Sequence, residues 1–327
     1  MTEQRLPAWA DPSVSPARLD PQGVSRRQLL RRAGLFGATL AAGPLAAPAA
    51  ARGHGLGGDD PRLAYLVGDH HVHSVYSHDA KYTFSQLARA GARYGLDWMV
   101  FNEHSNRNFD NTGRLPDPVD TDTPQPGGDF WPGQFSRTHV GVTRYDHRAV
   151  MAGLRAGRVW LDHGHLLDGL DVRLKRDRDH GHGVTTGGRL RARAGEKLTL
   201  TVTVTTASRP NPHDILPKLA HVDVIRGAVR GPAADRDDWR APDTRVVRTL
   251  DVDGRKGTYT LRVPLVAGDE SCYVRLRGSD GNRHGAGYLG ASVDPHGPVP
   301  HVPGDGDPWV DTWFYTNPVF VDVVGGR

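Results

Sequence analysis

The first regular pattern of apolar and polar positions along the chain predicts a strand, a helix and a second strand. The apolar run of residues 63–68 is typical of a short buried strand. Thr83 is a good helix N-cap, and the apolar positions between it and Tyr94 are spaced for one buried helix face. Gly95 ends this helix, and residues 98–101 form a second apolar run. This β-α-β order favours an α/β fold, whose active sites lie at the carboxyl ends of the strands.

The pattern breaks over residues 105–138, which are rich in Asp, Pro, Gly and Asn and predict a long irregular loop. A helical segment resumes at Tyr145 and stops at Gly157. Residues 159–161 then predict another strand, which ends at Asp162.

From about Gly169 the hydrophobic period changes to two. Several short runs alternate apolar with polar residues, and turn pairs such as Asp253-Gly254 separate them. The apolar positions of these runs are Leu198, Leu200, Val202 and Val204; Ala220, Val222 and Val224; Tyr259, Leu261 and Val263; Cys272, Val274 and Leu276; and finally Val319 to Val321. This half of the chain is predicted to be an antiparallel β-sandwich.

Composition narrows the class of protein. A chain of 327 residues with 24% charged and 37% hydrophobic residues suits a soluble globular protein of about two domains. Its single cysteine, Cys272, excludes an internal disulfide and a cysteine-based zinc site. Residues 1–51 carry six arginines against three acidic residues, so the remainder holds 35 basic and 34 acidic residues. This balance gives no argument for nucleic-acid binding.

The N-terminus has the features of an export signal. Ser25 to Leu30 resembles a twin-arginine motif, with Arg26 and Arg27 as the arginine pair. A mildly apolar run follows, and then small residues that fit a cleavage site near residue 51. We expect residues 1–51 to be a twin-arginine signal peptide and residues 52–61 to be a linker. The export machinery is then a partner, and the mature protein lies in the periplasm, the cell envelope or outside the cell.

Histidines and carboxylates concentrate near the predicted strand ends. His71 and His73 are two residues apart, so their side chains leave the same face of an extended chain. Asp79 follows six residues later, and Glu103-His104 closes the second strand. These are the side chains that a divalent metal centre needs, and they favour a metal-dependent hydrolase.

Residues 62–104 resemble the PHP (polymerase and histidinol phosphatase) family. The resemblance rests on the run from Gly68 to Asp79 and on Asn102-Glu103-His104. Members of that family are distorted β/α barrels that bind up to three divalent metals and hydrolyse phosphate esters. The resemblance therefore implies a phosphoesterase with a small-molecule or other phosphoester substrate.

The resemblance also implies the roles of individual residues. His71, His73, Asp79 and His104 would be the metal ligands. Glu103 stands where the family usually has Asp and would support or bind the metal, and Asp69 would fix an imidazole tautomer from behind the ligands. We place Glu103 and Asp69 in the catalytic group. The ligand set suits Zn²⁺, Mn²⁺ or iron, which would activate a water molecule and polarise a phosphoryl oxygen.

The expected barrel is abbreviated. A β/α barrel takes about 200 residues or more, whereas residues 62–168 hold about half of that, and the family's later motifs have no counterpart here. We therefore predict a truncated PHP-like metal domain over 62–168 followed by a β-sandwich over 169–327. A partial barrel exposes sheet edges, which favours a homo-oligomer.

Two other functions stay open. The chain could be a non-catalytic PHP relic that binds a metal or another ligand. It could also be an amidohydrolase-like enzyme, since that class begins with His-x-His after a first strand, and Asp162 is then the candidate for the later strand-end carboxylate.

Several further side chains are weaker candidates. His163 and His165 follow a strand end and could enter the site, whereas the His180-Gly181-His182 loop is expected to be solvated. His70 and His78 lie out of phase with the predicted ligands and are expected to be structural. The phosphate-binding arginine stays open among Arg107, Arg137 and Arg144.

Overall fold

The computed structural model describes residues 63–75, 77, 80, 82–102, 130–232, 243–282, 309 and 311–325. These residues contain two helices and thirteen strands. In chain order the elements are β1 (Ala64–Val72), α1 (Phe84–Arg93), β2 (Trp98–Phe101), β3 (Ser136–Val142), α2 (His147–Arg155), β4 (Val159–His163), β5 (Leu167–Arg176), β6 (Arg189–Ala192), β7 (Lys197–Thr206), β8 (His221–Ala228), β9 (Arg245–Asp251), β10 (Thr258–Val266), β11 (Cys272–Ser279), β12 (Trp313–Thr316) and β13 (Val319–Val323).

The strands form one large mixed sheet and one small antiparallel sheet. The large sheet runs in the order β2-β1-β3-β4-β12-β11-β13-β6, and β8 adds to β11 and carries β9. Only the pairs β1–β2 and β6–β13 are parallel among its described ladders. The small sheet has the order β10-β7-β5.

The predicted β-α-β unit is confirmed as local structure. Helix α1 begins at the predicted Thr83 N-cap, where a capping box with Gln86 satisfies the first backbone donors. The chain leaves α1 through Gly95, whose φ of 81° favours glycine. Strands β1 and β2 then pair in parallel. The connection between them contains α1 and is long enough for the crossover that parallel strands require.

The two helices cover opposite faces of this end of the large sheet. Helix α2 packs against Leu66 and Val140, whereas α1 packs against Val67 and Met99. Since neighbouring residues of a strand point to opposite faces, the two clusters lie on either side of β1.

The main core lies between the two sheets. It combines residues of the small sheet, such as Leu200 and Val202, with residues of the large sheet, such as Val224, Leu276 and Phe314, all of which are fully buried. The alternating runs predicted as strands are confirmed in β7, β8, β10, β11 and β13. Strands β5, β6, β9 and β12 join them without having been predicted.

The predicted fold class is wrong. We expected an abbreviated PHP-like distorted β/α barrel before the sandwich, but the described strands are mostly antiparallel, form open sheets and close no barrel. The reason is β3, which lies antiparallel between β1 and β4. A β/α barrel needs a parallel neighbour on both sides of each strand, whereas β1 has the parallel β2 on one side and the antiparallel β3 on the other. Residues 136–138, predicted as loop, belong to this strand.

The large sheet also crosses the predicted boundary at residue 168. Strand β12, from the end of the chain, forms hydrogen-bonded ladders with β4 on one side and with β11 on the other. The division into two domains stays a prediction. Within the described residues, no helix has the length and apolar character that a membrane span requires.

Candidate metal centre

The carboxyl end of β1 is held against β2 by a close-packed contact. Gly68 faces the indole of Trp98 so closely that a Cβ atom would lie 2.1 Å from the ring. The Trp98 Nε1–H donates to the Leu66 carbonyl oxygen at 3.2 Å. Beyond this contact, Asn102 accepts from the backbone N–H of Val72 at 3.0 Å and donates its own to the Val72 carbonyl. These bonds bring the end of β2 beside the histidine-rich end of β1.

The structure brings His71 and His73 together. Their Nε2 atoms lie 3.0 Å apart, and their rings meet edge to face with centroids separated by 4.8 Å. The β1–β2 ladder shifts register between Asp69 and Val72, so the strand is irregular where the pair begins. His71 is solvent-exposed and His73 is half-buried.

Asp69 supports this end of the strand through the backbone. Its Oδ1 accepts from the His71 N–H at 3.0 Å, rather than from an imidazole ring as the sequence suggested. Burial raises the pKa of Asp69, although the hydrogen bonds from the His71 and Gly133 backbones oppose that shift. The neighbouring His70 turns away from the pair, and its Nδ1 lies 3.0 Å from the Thr138 hydroxyl.

The histidine pair fits a metal ion. Imidazole nitrogen atoms bind zinc at about 2.0–2.1 Å, so two of them about 3 Å apart can contact one ion at close to a right angle. The other predicted ligands, Asp79 and His104, lie outside the described residues, and so does Glu103. Among the residues that are described, no group of three or more His, Cys, Asp or Glu side chains could hold a metal ion.

The structure separates the candidate phosphate-binding arginines. Arg137 makes a two-pronged ion pair with Asp162, at 3.0 and 2.6 Å, and donates to the Leu167 carbonyl at 2.9 Å. Its guanidinium is therefore already committed inside the protein. Arg144 is well exposed and lies 3.3 Å from Asp146. Arg107 lies outside the described residues.

Asp162 lies in a buried cluster instead of an open site. The fully buried carboxylate accepts from Arg137, from His139 Nε2 at 3.0 Å and from the Leu167 N–H at 3.2 Å. Burial opposes its ionisation, yet the charge of Arg137 and the bond from His139 hold the pKa of Asp162 well below its usual range. The His139 ring stacks on Trp160 with centroids 3.5 Å apart. This cluster joins β3 to β4.

His163 and His165 also have partners of their own. His163 Nδ1 lies 2.7 Å from the Ser136 hydroxyl, and His165 Nε2 donates to the Gly133 carbonyl at 2.9 Å. Burial lowers the pKa of each to about 4. We did not predict roles for Ser136 or His139 from the sequence. Their partners, His163 and Asp162, lie on another strand, so no motif of local spacing indicates these contacts.

Comparison with protein-family models and with curated proteins finds no match to this chain. The resemblance to the PHP family therefore rests on the motif residues of 62–104 and stays a prediction.

Proposed function

We propose that this chain is an exported metal-dependent phosphoesterase that binds a divalent ion, Zn²⁺, Mn²⁺ or iron, through His71 and His73. The observation that carries the proposal is the 3.0 Å separation of the two Nε2 atoms at the carboxyl end of β1, where His71 is solvent-exposed. Neutral imidazoles this close share either one proton or one cation, and a cation uses both lone pairs.

The surrounding residues support the same site. Asn102 accepts a hydrogen bond from the Val72 backbone N–H and donates its own backbone N–H to the Val72 carbonyl, which holds the end of β2 beside the end of β1 that carries the histidine pair. Asp69 holds the backbone of His71 in place. A bound divalent ion supplies Lewis acidity to a phosphoryl oxygen and makes water a better nucleophile. The residues of this chain supply the ligands and hold them at the strand end.

Metal content and turnover test the proposal together. We would dialyse the mature chain, measure bound metals by elemental analysis and assay hydrolysis of bis(p-nitrophenyl) phosphate. We expect at least about one equivalent of Zn, Mn or Fe, as a site built on imidazole ligands should retain, and chelator-sensitive turnover.

The matched variants are two double substitutions. His71→Ala/His73→Ala should lose both the metal and the activity, whereas His180→Ala/His182→Ala changes two exposed histidines elsewhere and should retain both. Metal binding that survives the first double substitution would contradict the site.

A non-catalytic metal-binding role is the second candidate. The open sheet favours it, because no closed barrel brings further strand ends around the histidines within the described residues. It predicts metal bound by His71 and His73 without turnover. The amidohydrolase-like alternative has less support, since Asp162, its candidate carboxylate, is buried against Arg137.

A further inference from the structure

A serine and a histidine face each other on neighbouring strands of the large sheet. Ser136 begins β3 and His163 ends β4, and the ladder pairs them directly. The Ser136 Oγ and His163 Nδ1 atoms are 2.7 Å apart, and Ser136 is solvent-exposed. A nucleophile bonded to a base in this way is the basic unit of serine-type hydrolysis.

Aromatic rings hold the base in position. On the neighbouring strand β12, Trp313 pairs with His163, and the two ring centroids lie 3.8 Å apart. Phe135 approaches the imidazole at 5.5 Å. These contacts restrict the orientation of the imidazole ring, which is one of the functions of the hydrogen-bonded carboxylate in other hydrolytic centres.

The imidazole is in the protonation state that a base needs. Burial lowers the pKa of His163 to about 4, and the neighbouring Asp162 opposes this shift only in part. The ring is therefore neutral at pH 7. In its Nε2–H tautomer, Nδ1 accepts the hydrogen bond that the Ser136 hydroxyl donates.

Among the described residues, burial also lowers the pKa of His139 and His165, whose Nε2 atoms have other partners. His139 Nε2 bonds to the Asp162 carboxylate, and His165 Nε2 to the Gly133 carbonyl. Another serine, Ser208, donates from its hydroxyl to the Asp168 carboxylate, and both residues are solvent-exposed. The partner of Ser208 is a carboxylate, whereas the partner of Ser136 is an imidazole in contact with Trp313 and Phe135. Ser208 therefore serves as the control serine.

We propose that Ser136 and His163 form a second hydrolytic centre, which needs no metal and cleaves aryl esters through an acyl-serine. Ser136 Oγ attacks the ester carbonyl carbon, and its proton passes to His163 Nδ1. The bond between the carbonyl carbon and the aryloxy oxygen then breaks, which leaves the acyl group on Ser136, and the leaving phenol takes the proton from His163. Water next attacks the acyl carbon, with His163 again accepting the proton. The carboxylic acid leaves and the proton returns to Ser136.

The surroundings define the substrate class. Trp313 and Tyr315 lie on the same face as His163 because they are two residues apart on β12, and their rings meet edge to face at 4.6 Å. They offer an aromatic wall beside the nucleophile. A base with a pKa near 4 accepts protons weakly, so we expect turnover only of esters with good leaving groups, such as p-nitrophenyl acetate.

Ester hydrolysis and covalent labelling test this centre in the full mature chain. We expect the parent to hydrolyse p-nitrophenyl acetate in the presence of EDTA, with a rate about 100-fold above that of Ser136→Ala and His163→Gln. Phenylmethanesulfonyl fluoride should sulfonylate Ser136, as located by peptide mass spectrometry. Ser208→Ala should match the parent in both measurements.

Other outcomes would overturn the proposal. These are an unchanged rate in Ser136→Ala, a label found on another residue or on none, and loss of the activity with EDTA. Labelling reads Ser136 directly, so it decides the question even if His163→Gln folds poorly. EDTA is present throughout the ester assay, which makes the result independent of the proposed metal centre.

The pH profile gives a further readout. Once spontaneous hydrolysis is subtracted, the serine-dependent rate should rise around pH 4 and stay flat towards pH 7, following the neutral fraction of His163. A rise centred near pH 6.5 would place the base elsewhere.

Discussion

At the residue scale, the charge of Asp162 stabilises the junction of β3 and β4. Replacing it by asparagine keeps the shape but leaves Arg137, which is only 12% exposed, without a counter-charge. We expect Asp162→Asn to lower the free energy of unfolding by about 3–5 kcal/mol, since breaking one side of a buried ion pair leaves an uncompensated charge. Urea denaturation measures the change. Asp322→Asn, which breaks the exposed pair with Arg189, should cost no more than about 1 kcal/mol; equal losses would contradict this view of Asp162.

His165 makes the stability of the fold depend on pH. Burial and the charge of Arg137 lower its pKa to about 4, whereas an unfolded histidine titrates near about 6.5. Between these values the unfolded state binds more protons, so the free energy of unfolding falls as the pH drops through this window. His165→Asn suits the backbone φ of 59° and removes the titration. We expect a loss between pH 7 and 4 that is smaller by about 1–3 kcal/mol, with His163 and His139 supplying the remainder. An unchanged slope, or an equal change in His180→Asn, would contradict this.

At the scale of elements, local signals predicted what local bonds determine. Helix α1 was predictable because Thr83 and Gln86 cap it within one turn. Strand β3 was not, because its positions Arg137 and His139 are polar although they face inwards. Their burial is compensated by Asp162, 25 and 23 residues away, so the hydrophobic pattern of the strand is hidden. Because we did not predict this antiparallel strand, we expected a parallel barrel where the structure has a mixed sheet.

Helix α2 approaches β3 so closely at Gly153 that the lack of space for a side chain affects stability more than the low helix propensity of glycine. A Cβ atom at Gly153 would lie 2.7 Å from the Gly141 carbonyl oxygen and 2.5 Å from a Val140 methyl group. In α1, a Cβ atom at Gly91 would meet mainly the flexible Met99 thioether, at 2.6 Å. Although alanine favours a helix by about 1 kcal/mol, we expect Gly153→Ala to destabilise by about 1–3 kcal/mol and Gly91→Ala by clearly less. Thermal unfolding compares them, and the reverse order would show that α2 can move away from the sheet.

At the scale of the whole molecule, the sequence predicted where strands form better than it predicted which strands pair with each other. The period of two identified five strands of the sandwich, and the spacing of His71 and His73 placed two imidazoles on one side of a strand end. Nothing local shows that β12 lies between β4 and β11, since its ladder to β4 joins residues about 150 positions apart. For the same reason the sequence did not show that one sheet includes strands from both sides of residue 168.

This continuity predicts that both halves of the chain unfold together. Phe314 is fully buried on β12 and packs in the core between the sheets. Phe314→Ala should lower the free energy of unfolding by about 3–5 kcal/mol. Because β12 pairs with β4, hydrogen exchange should accelerate in β3 and β4 as much as in β8 and β11. Val266→Ala, at a 54% exposed position, should leave exchange unchanged. Faster exchange confined to residues after 168 would instead show that the segment before residue 168 is stable by itself, and that the sheet joins two independent units.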